Sequence, residues 1–319
     1  MERNTPPVDK IIHTLDLNFM GFPGTIAAYL IPHAHGAVLV ETGPGSTLPA
    51  LQAGLAAHGL RASDITDVLL THIHLDHAGA AGWLARQGAK IHVHPVGAPH
   101  LVDPEKLLSS ARRIYGDRME ALWGEFLPVP EERLSVLQDG DVVEIEGLSF
   151  RALDTPGHAN HHFAYLFHDV CFSGDIGGVR LAGTRHLRLP MPPPELNLEK
   201  WRQSLDKLGR EFSSRSELTR IAPTHFGIFT DPGWHLAALA KALDEVETWM
   251  ESIMPSDPPI ESLNEQFVNW SRQRSLAEGL DSGLLEKYET ANPSWMTSYG
   301  IQRYWRKHRL EQSGIKAEK

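Results

Sequence analysis

Thr71-His72-Ile73-His74-Leu75-Asp76-His77-Ala78-Gly79 follows the apolar run Val68-Leu69-Leu70. That run reads as a buried strand, and the Gly/Ala-rich segment after it as a turn out of the sheet. Side chains two apart on an extended chain share a side, so His72 and His74 can grip one ion together. Asp76 and His77 come where the chain turns and can face a second ion beside the first. Imidazole with carboxylate suits zinc, iron or manganese rather than calcium. The alternative is a His-rich surface loop, or core histidines bonded to backbone carbonyls, in a chain with 18 histidines among 319 residues. The H-x-H-x-D-H order outweighs it. Four side chains cannot complete two coordination shells, so further ligands are expected downstream.

Candidates stand at three later strand ends. Thr155-Pro156-Gly157-His158-Ala159-Asn160-His161-His162 offers three imidazoles, Ser173-Gly174-Asp175 a carboxylate, and Thr224-His225 another imidazole after the strand-like Arg220-Ile221-Ala222-Pro223. His92 and His94 repeat the His72/His74 spacing, but Pro95 closes their strand and no acid follows, so structural or pocket-wall roles are expected.

Composition bounds the reading. A chain of this length allows one large domain or two ordinary ones. Its 41% hydrophobic and 22% charged content is that of a soluble globular protein. A net charge of −10 argues against broad nucleic-acid binding. The single cysteine, Cys171, has no internal disulfide partner, and its apolar neighbours predict a packed core thiol. Met1–Pro7 lacks the layout of a signal peptide, and no stretch has the apolar length of a membrane span. A cytoplasmic setting is expected, with neither membrane nor nucleic acid as partner.

Strands are expected over 11–16, 25–31 and 36–41, then a helix with Leu48, Leu51 and Leu55 on one face and Ser46 as its N-cap. Residues 104–124 look helical and could cap an active site. Asp141–Ile145 and Leu148–Leu153, joined through Glu146-Gly147, form an expected hairpin. A Pro-rich loop over 189–195 precedes a helix near 198–208. Beyond Pro232 the apolar residues recur in threes and fours, so 232–253 and 260–312 read as helices. Trp295, Met296, Tyr299, Tyr304 and Trp305 are expected to pack against the main domain.

The series His72-x-His74-x-Asp76-His77, His158, Asp175, His225 resembles the metal-ligand series of the metallo-β-lactamase superfamily, over roughly residues 11–231. The resemblance implies an α/β fold, a four-layer αβ/βα sandwich with metals at one edge. It implies a catalytic domain over 1–231, with a helical C-terminal extension over 232–319 packed on it. By the same resemblance His72, His74 and His158 take one metal, Asp76, His77 and His225 the other, and Asp175 bridges them. His158 is preferred over its neighbours because it follows Pro-Gly, while His162 matches a non-ligand position. Glu41-Thr42-Gly43 departs from the usual Asp-Thr-Gly, though the longer carboxylate can still support a ligand.

The activity implied by the resemblance is that of a hydrolase with two divalent cations, zinc the expected element and iron or manganese the alternatives. A metal-bridging hydroxide would attack a small ester, thioester or lactone, with Asp76 handling the proton. Asp at position 175, where many true zinc β-lactamases carry Cys or Ser, argues against antibiotic hydrolysis. The ligand set resembles that of glyoxalase II-type thioester hydrolases and lactonases. The alternatives are a mononuclear iron oxygenase like the persulfide dioxygenases and a phosphodiesterase or nuclease. Arg180, Arg185, His186 and Arg188 stand between Asp175 and the Pro-rich loop as candidates to bind a substrate carboxylate or phosphate.

Overall fold

The central strands are buried on both faces, and this sets the layering of the computed structural model, which describes residues 12–310. The first sheet comprises β1 (His13–Asp16), β2 (Ala27–His33), β3 (Gly36–Val40), β4 (Ile65–Leu69), β5 (Lys90–Val93) and β6 (Leu134–Val136), in that spatial order. β1 to β3 pair antiparallel, and β3 to β6 run parallel. The second comprises β7 (Val142–Ile145), β8 (Leu148–Asp154), β9 (Phe163–Phe167), β10 (Val170–Phe172) and β11 (Arg220–Ala222), in the order β11-β10-β9-β8-β7. Glu146 and Gly147 both have positive φ, which closes β7 onto β8 in a two-residue hairpin.

Tyr29, Ile31, Val38 and Val40 meet Phe150, Phe163, Tyr165 and Phe167 between the sheets. The alternate positions face outward onto helices. Leu30, Leu39 and Val68 pack under α1 (Leu48–Ala57) and α3 (Ala81–Arg86). Leu153, Ala164, Leu166 and Cys171 pack under α7 (Leu198–Ser214) through Trp201, Leu205 and Leu208. Burial also pushes the Cys171 thiol far above its ordinary pKa, as suits a packed and unreactive side chain. The result is helix, sheet, sheet, helix, as expected. The short α2 (Leu75–Ala78) opens the loop after β4, while α4 (Ala98–Val102), α5 (Glu105–Tyr115) and α6 (Met119–Trp123) fill the span between β5 and β6. Ser46 does not cap α1: Gly45–Thr47 is a 3-10 turn, and the Ser46 hydroxyl donates instead to the Leu122 carbonyl at 2.6 Å.

The chain ends in α8 (Pro232–Ile253), α9 (Ile260–Ala277), α10 (Ser282–Ala291) and α11 (Ser294–Tyr304). Val246, Met250, Leu263, Phe267, Ile301 and Tyr304 share one apolar cluster with α7, so these helices thicken the outer layer of the second sheet. Among the described residues, no helix is long and apolar enough to cross a membrane.

The segment after Asp175 docks this helical layer, which corrects the substrate-binding expectation for its four cationic candidates. Arg180 makes a two-pronged pair with Asp231 at 2.6 and 3.1 Å, its guanidinium 3.9 Å from the Phe229 ring centre and 4.5 Å from that of Trp234. Arg185 lies over Trp234 and faces solvent. His186 is buried against Glu278 at 2.6 Å, and Arg188 reaches Glu289 at 2.6 Å and Ser275 at 3.1 Å. Asp231, just before α8, and Glu289 on α10 satisfy the buried charges of Arg180 and Arg188, as buried charges require.

Gly300 marks the closest approach. A Cβ there would lie 1.9 Å from the Met191 carbonyl oxygen, so α11 rests directly on the Pro-rich loop. Gly300→Ala is expected to cost about 1–3 kcal/mol in urea unfolding, the usual range for overpacking.

A second test uses pH. Burial lowers the pKa of His186 to about 4 against the pull of Glu278, and burial lowers that of His235 to about 4, with Arg180 adding to the effect. Unfolded, both take up protons near the ordinary 6.5, so the unfolded chain binds more protons between 6.5 and 4. Their contribution is complete above that window and is lost as pH falls through it. The urea midpoint should drop across this range, with a shallower slope in His235→Gln.

Candidate metal centre

Every candidate ligand sits just past the carboxyl end of a strand, at one edge of the sandwich. His72 to His77 follow β4, His158 follows β8, Asp175 follows β10 and His225 follows β11. Backbone bonds tie the two sheets together at this edge. Phe163 N donates to Thr71 O at 2.7 Å, Ala27 N to Thr224 O at 2.9 Å, and the Tyr165 hydroxyl to Leu70 O at 3.0 Å.

The structure brings all seven residues together. His72 Nε2, His74 Nδ1 and His158 Nε2 are mutually 3.0, 3.2 and 2.8 Å apart. Asp76 Oδ2 is 3.5 Å from His77 Nε2 and 3.3 Å from His225 Nε2, which makes a second group. Asp175 lies between the groups. Its Oδ1 is 3.2 Å from His77 Nε2 and 3.6 Å from His225 Nε2, while Oδ2 is 3.4 Å from His158 Nε2.

The far ring nitrogens fix where the protons are. His158 Nδ1 donates to Pro190 O at 2.7 Å, His225 Nδ1 to Thr25 O at 2.8 Å, and His77 Nδ1 to Glu41 Oε1 at 3.0 Å. Thr71 gives its hydroxyl proton to Glu41, so it accepts from His72 Nδ1 at 3.1 Å. The neutral rings of His72 and His158 therefore turn an unprotonated nitrogen inward, and His77 and His225 turn their Nε2 toward Asp76 and Asp175. His77 Nε2 and Asp175 Oδ1 are buried 3.2 Å apart without well-aligned hydrogen-bond geometry. The facing lone pairs of His72 and His158 have no satisfactory arrangement with one another. Nitrogen ligands around one tetrahedral cation stand roughly 3.3 Å apart, close to the first group's spacing. These residues fit divalent metal ions.

The electrostatics agree with the geometry. Burial and the neighbouring imidazoles hold His72 and His74 well below the ordinary imidazole pKa, and burial lowers His158, so all three are neutral and able to ligate. Burial also acts on His77, but Asp76, Asp175 and Glu41 outweigh it and raise its pKa. Burial would raise Asp76 and Asp175, yet His77 chief among their neighbours keeps both carboxylates ionised.

Glu41 supports the site from behind. It accepts from the hydroxyls of Thr71 and Thr224, from Thr71 N and from His77 Nδ1. Its oxygens are thus taken up by donors, although it lies within ligand distance of His72 and His77. Sequence reasoning misses the two threonines, although each directly precedes a candidate histidine. His162 is no ligand: its Nδ1 meets Thr155 at 2.9 Å, and its Nε2 accepts from Asp175 N and Ile176 N. His161 lies 3.4 Å from Glu195. His92 and His94 pair with Asp67 and Asp154, away from the cluster.

A cavity of about 390 Å³ opens above the ligands, with His74, Asp76, His158, Asp175 and His225 in its floor. Phe19 and Phe22, Leu107 and Ile114 of α5, Trp123 of α6 and Trp295 of α11 supply its walls. The expected cap over 104–124 thus borders the site, and Trp295 and Met296 join it from the far end of the chain. None of Arg180, Arg185, His186 and Arg188 lines this cavity.

The sequence profile of the metallo-β-lactamase superfamily matches residues 21–211, well over half of the chain. The chain belongs to this superfamily. Among solved superfamily structures, a metallo-β-lactamase family protein from Thermus thermophilus superposes with a TM-score of 0.62 at 22% identity, covering 97% of this chain and 95% of that one. A metallo-β-lactamase fold-containing protein from Sulfurisphaera tokodaii is 24% identical over 200 residues, 61% of this chain and 72% of its own. An atrochrysone carboxyl ACP thioesterase from Aspergillus fumigatus is 32% identical over 212 residues, 64% of this chain and 54% of its own. A hydroxyacylglutathione hydrolase from Aeromonas hydrophila is 31% identical over 147 residues, 46% of this chain and 44% of its own. The chain therefore spans about half the length of these two enzymes.

Glu41→Gln should leave the chain folded but weaken metal binding by about 10- to 100-fold, the usual effect of losing a carboxylate behind a ligand histidine. Competition with a chromogenic chelator measures this directly.

Proposed function

We propose that the protein is a metal-dependent hydrolase of a small ester, thioester or lactone. His72, His74 and His158 would hold one divalent cation, zinc the expected element. Asp76, His77 and His225 would hold the second, with the Asp175 carboxylate shared. One observation carries the reading: inward-facing imidazole nitrogens gather around two carboxylates at the floor of a largely apolar cavity. The thioesterase and hydroxyacylglutathione hydrolase relatives support the same class of chemistry.

Bound cations would supply Lewis acidity toward a carbonyl oxygen and a water acidified to near neutrality. The protein's own groups do the remaining work. Asp76 borders the cavity with its side chain 20% exposed, against 4% for Asp175, and it stays ionised. It is therefore the group placed to accept and pass on a proton from an attacking water. The far-side bonds of His158, His225 and His77 stop their rings from turning. The aromatic and aliphatic walls exclude bulk water and strengthen every charge interaction at the floor.

A complete second ligand group supports two cations over the single-iron oxygenase reading. The apolar walls favour a small substrate over a nucleic acid.

Metal analysis should find close to two ions per chain, and chelation should abolish thioester hydrolysis until metal is returned. Asp76→Asn is expected to lower kcat by about 10²- to 10⁴-fold. His72→Ala should lose metal and activity together. One iron per chain with oxygen consumption, or full activity in metal-free protein, would rule the proposal out.

A further inference from the structure

We infer that the substrate is an amphiphile: an ester or thioester whose apolar part fills the cavity and whose carboxylate or phosphate rests on Arg118 at the rim. This rests on the hydrolase reading and adds the substrate class to it.

Among the described residues, Arg118 is the only lysine or arginine lining the cavity. It ends the 3-10 turn Gly116–Arg118 that links α5 to α6, and it is exposed. Its guanidinium lies over the Trp295 ring, 4.7 Å from the ring centre. Among the described residues it has neither an ion pair nor a hydrogen bond, and Trp295 is the ring it lies over. The acids of the lining are already engaged. Glu289 takes Arg188 at 2.6 Å and the Ser294 hydroxyl at 2.7 Å, and Asp76 and Asp175 belong to the ligand floor.

Contact with the ring face steadies the guanidinium while its N–H groups keep no acceptor, an arrangement that suits a planar or tetrahedral anion. The surrounding wall is apolar, and Met20, 51% exposed, extends that surface to the lip. A volume near 390 Å³ lies in the range of about 300–1,000 Å³ usual for small-molecule sites. Such a cavity favours a medium-length or aromatic acyl group, and a single cation at its mouth favours an anion there. A low-dielectric wall makes that cation count for more than it would in open water.

Three thioesters test this with the metal-loaded full-length chain: S-octanoyl-N-acetylcysteamine, which is neutral; S-octanoyl-3-mercaptopropionate, charged on the leaving group; and the N-acetylcysteamine monothioester of octanedioate, charged on the acyl end. One charged thioester should exceed the neutral one in kcat/KM by about tenfold, the worth of one partly desolvated charge-assisted contact. Which one does so places the anion on the leaving or the acyl side. In Arg118→Met the charged-to-neutral ratio should fall to near one, and Arg118→Lys should keep part of it. Equal hydrolysis of all three, or a preference that survives Arg118→Met, overturns this inference alone. Hydrolysis of none of them above the metal-free background overturns the hydrolase reading and this inference with it.

Discussion

Five largely buried imidazoles and two carboxylates turn toward one small space without enough protons to satisfy each other. His158, His225 and His77 each have one nitrogen committed to a backbone carbonyl or to Glu41, so the other nitrogen is held facing inward. Lone pairs about 3 Å apart repel unless positive charge lies between them. The fold therefore accepts a costly arrangement at one sheet edge, and the surrounding hydrogen bonds and packing exist to hold it. This is the pattern expected where local consistency is given up for chemistry.

Glu41 shows how that edge is held. It follows β3 in the left-handed region, with φ 66, an uncommon conformation for a residue other than glycine. From there one carboxylate collects the hydroxyls of Thr71 and Thr224 and the proton of His77. It thereby joins the loop after β4 of the first sheet to the loop after β11 of the second. The two sheets contribute different ligands, and a buried acid accepting from both fixes their relative position more tightly than apolar packing does.

The C-terminal helices reach the site through the Pro-rich loop. Gly300 lets α11 lie on the Met191 carbonyl, Asn292 donates to Leu189 O at 3.3 Å, and Arg188 ties the loop's start to Glu289. Pro190 in turn orients His158. The same helices contribute Trp295 and Met296 to the cavity, where the Tyr115 hydroxyl meets Met296 Sδ at 2.8 Å. One layer of helices thus completes the binding wall and steadies a ligand.

The residues gathered at this sheet edge stand out in the chain by strand-end position and residue type: His72, His74, Asp76 and His77 lie within six positions, and His158, Asp175 and His225 each come after an apolar run. The apolar runs marked strands, while the four-layer arrangement of two sheets under helices came from the family resemblance of the ligand series. Tertiary structure alone decided the partners of charge. Arg180, His186 and Arg188 look like anion binders in sequence, but acids 51, 92 and 101 residues away, in or beside the C-terminal helices, take them up. Arg118 carries no signal at all in sequence, and only the approach of α11 places Trp295 beneath it and the cavity beside it. Coordination preferences and hydrophobic periodicity are local properties of a chain, whereas the pairing of a long charged side chain depends on which distant surface folding brings within its reach.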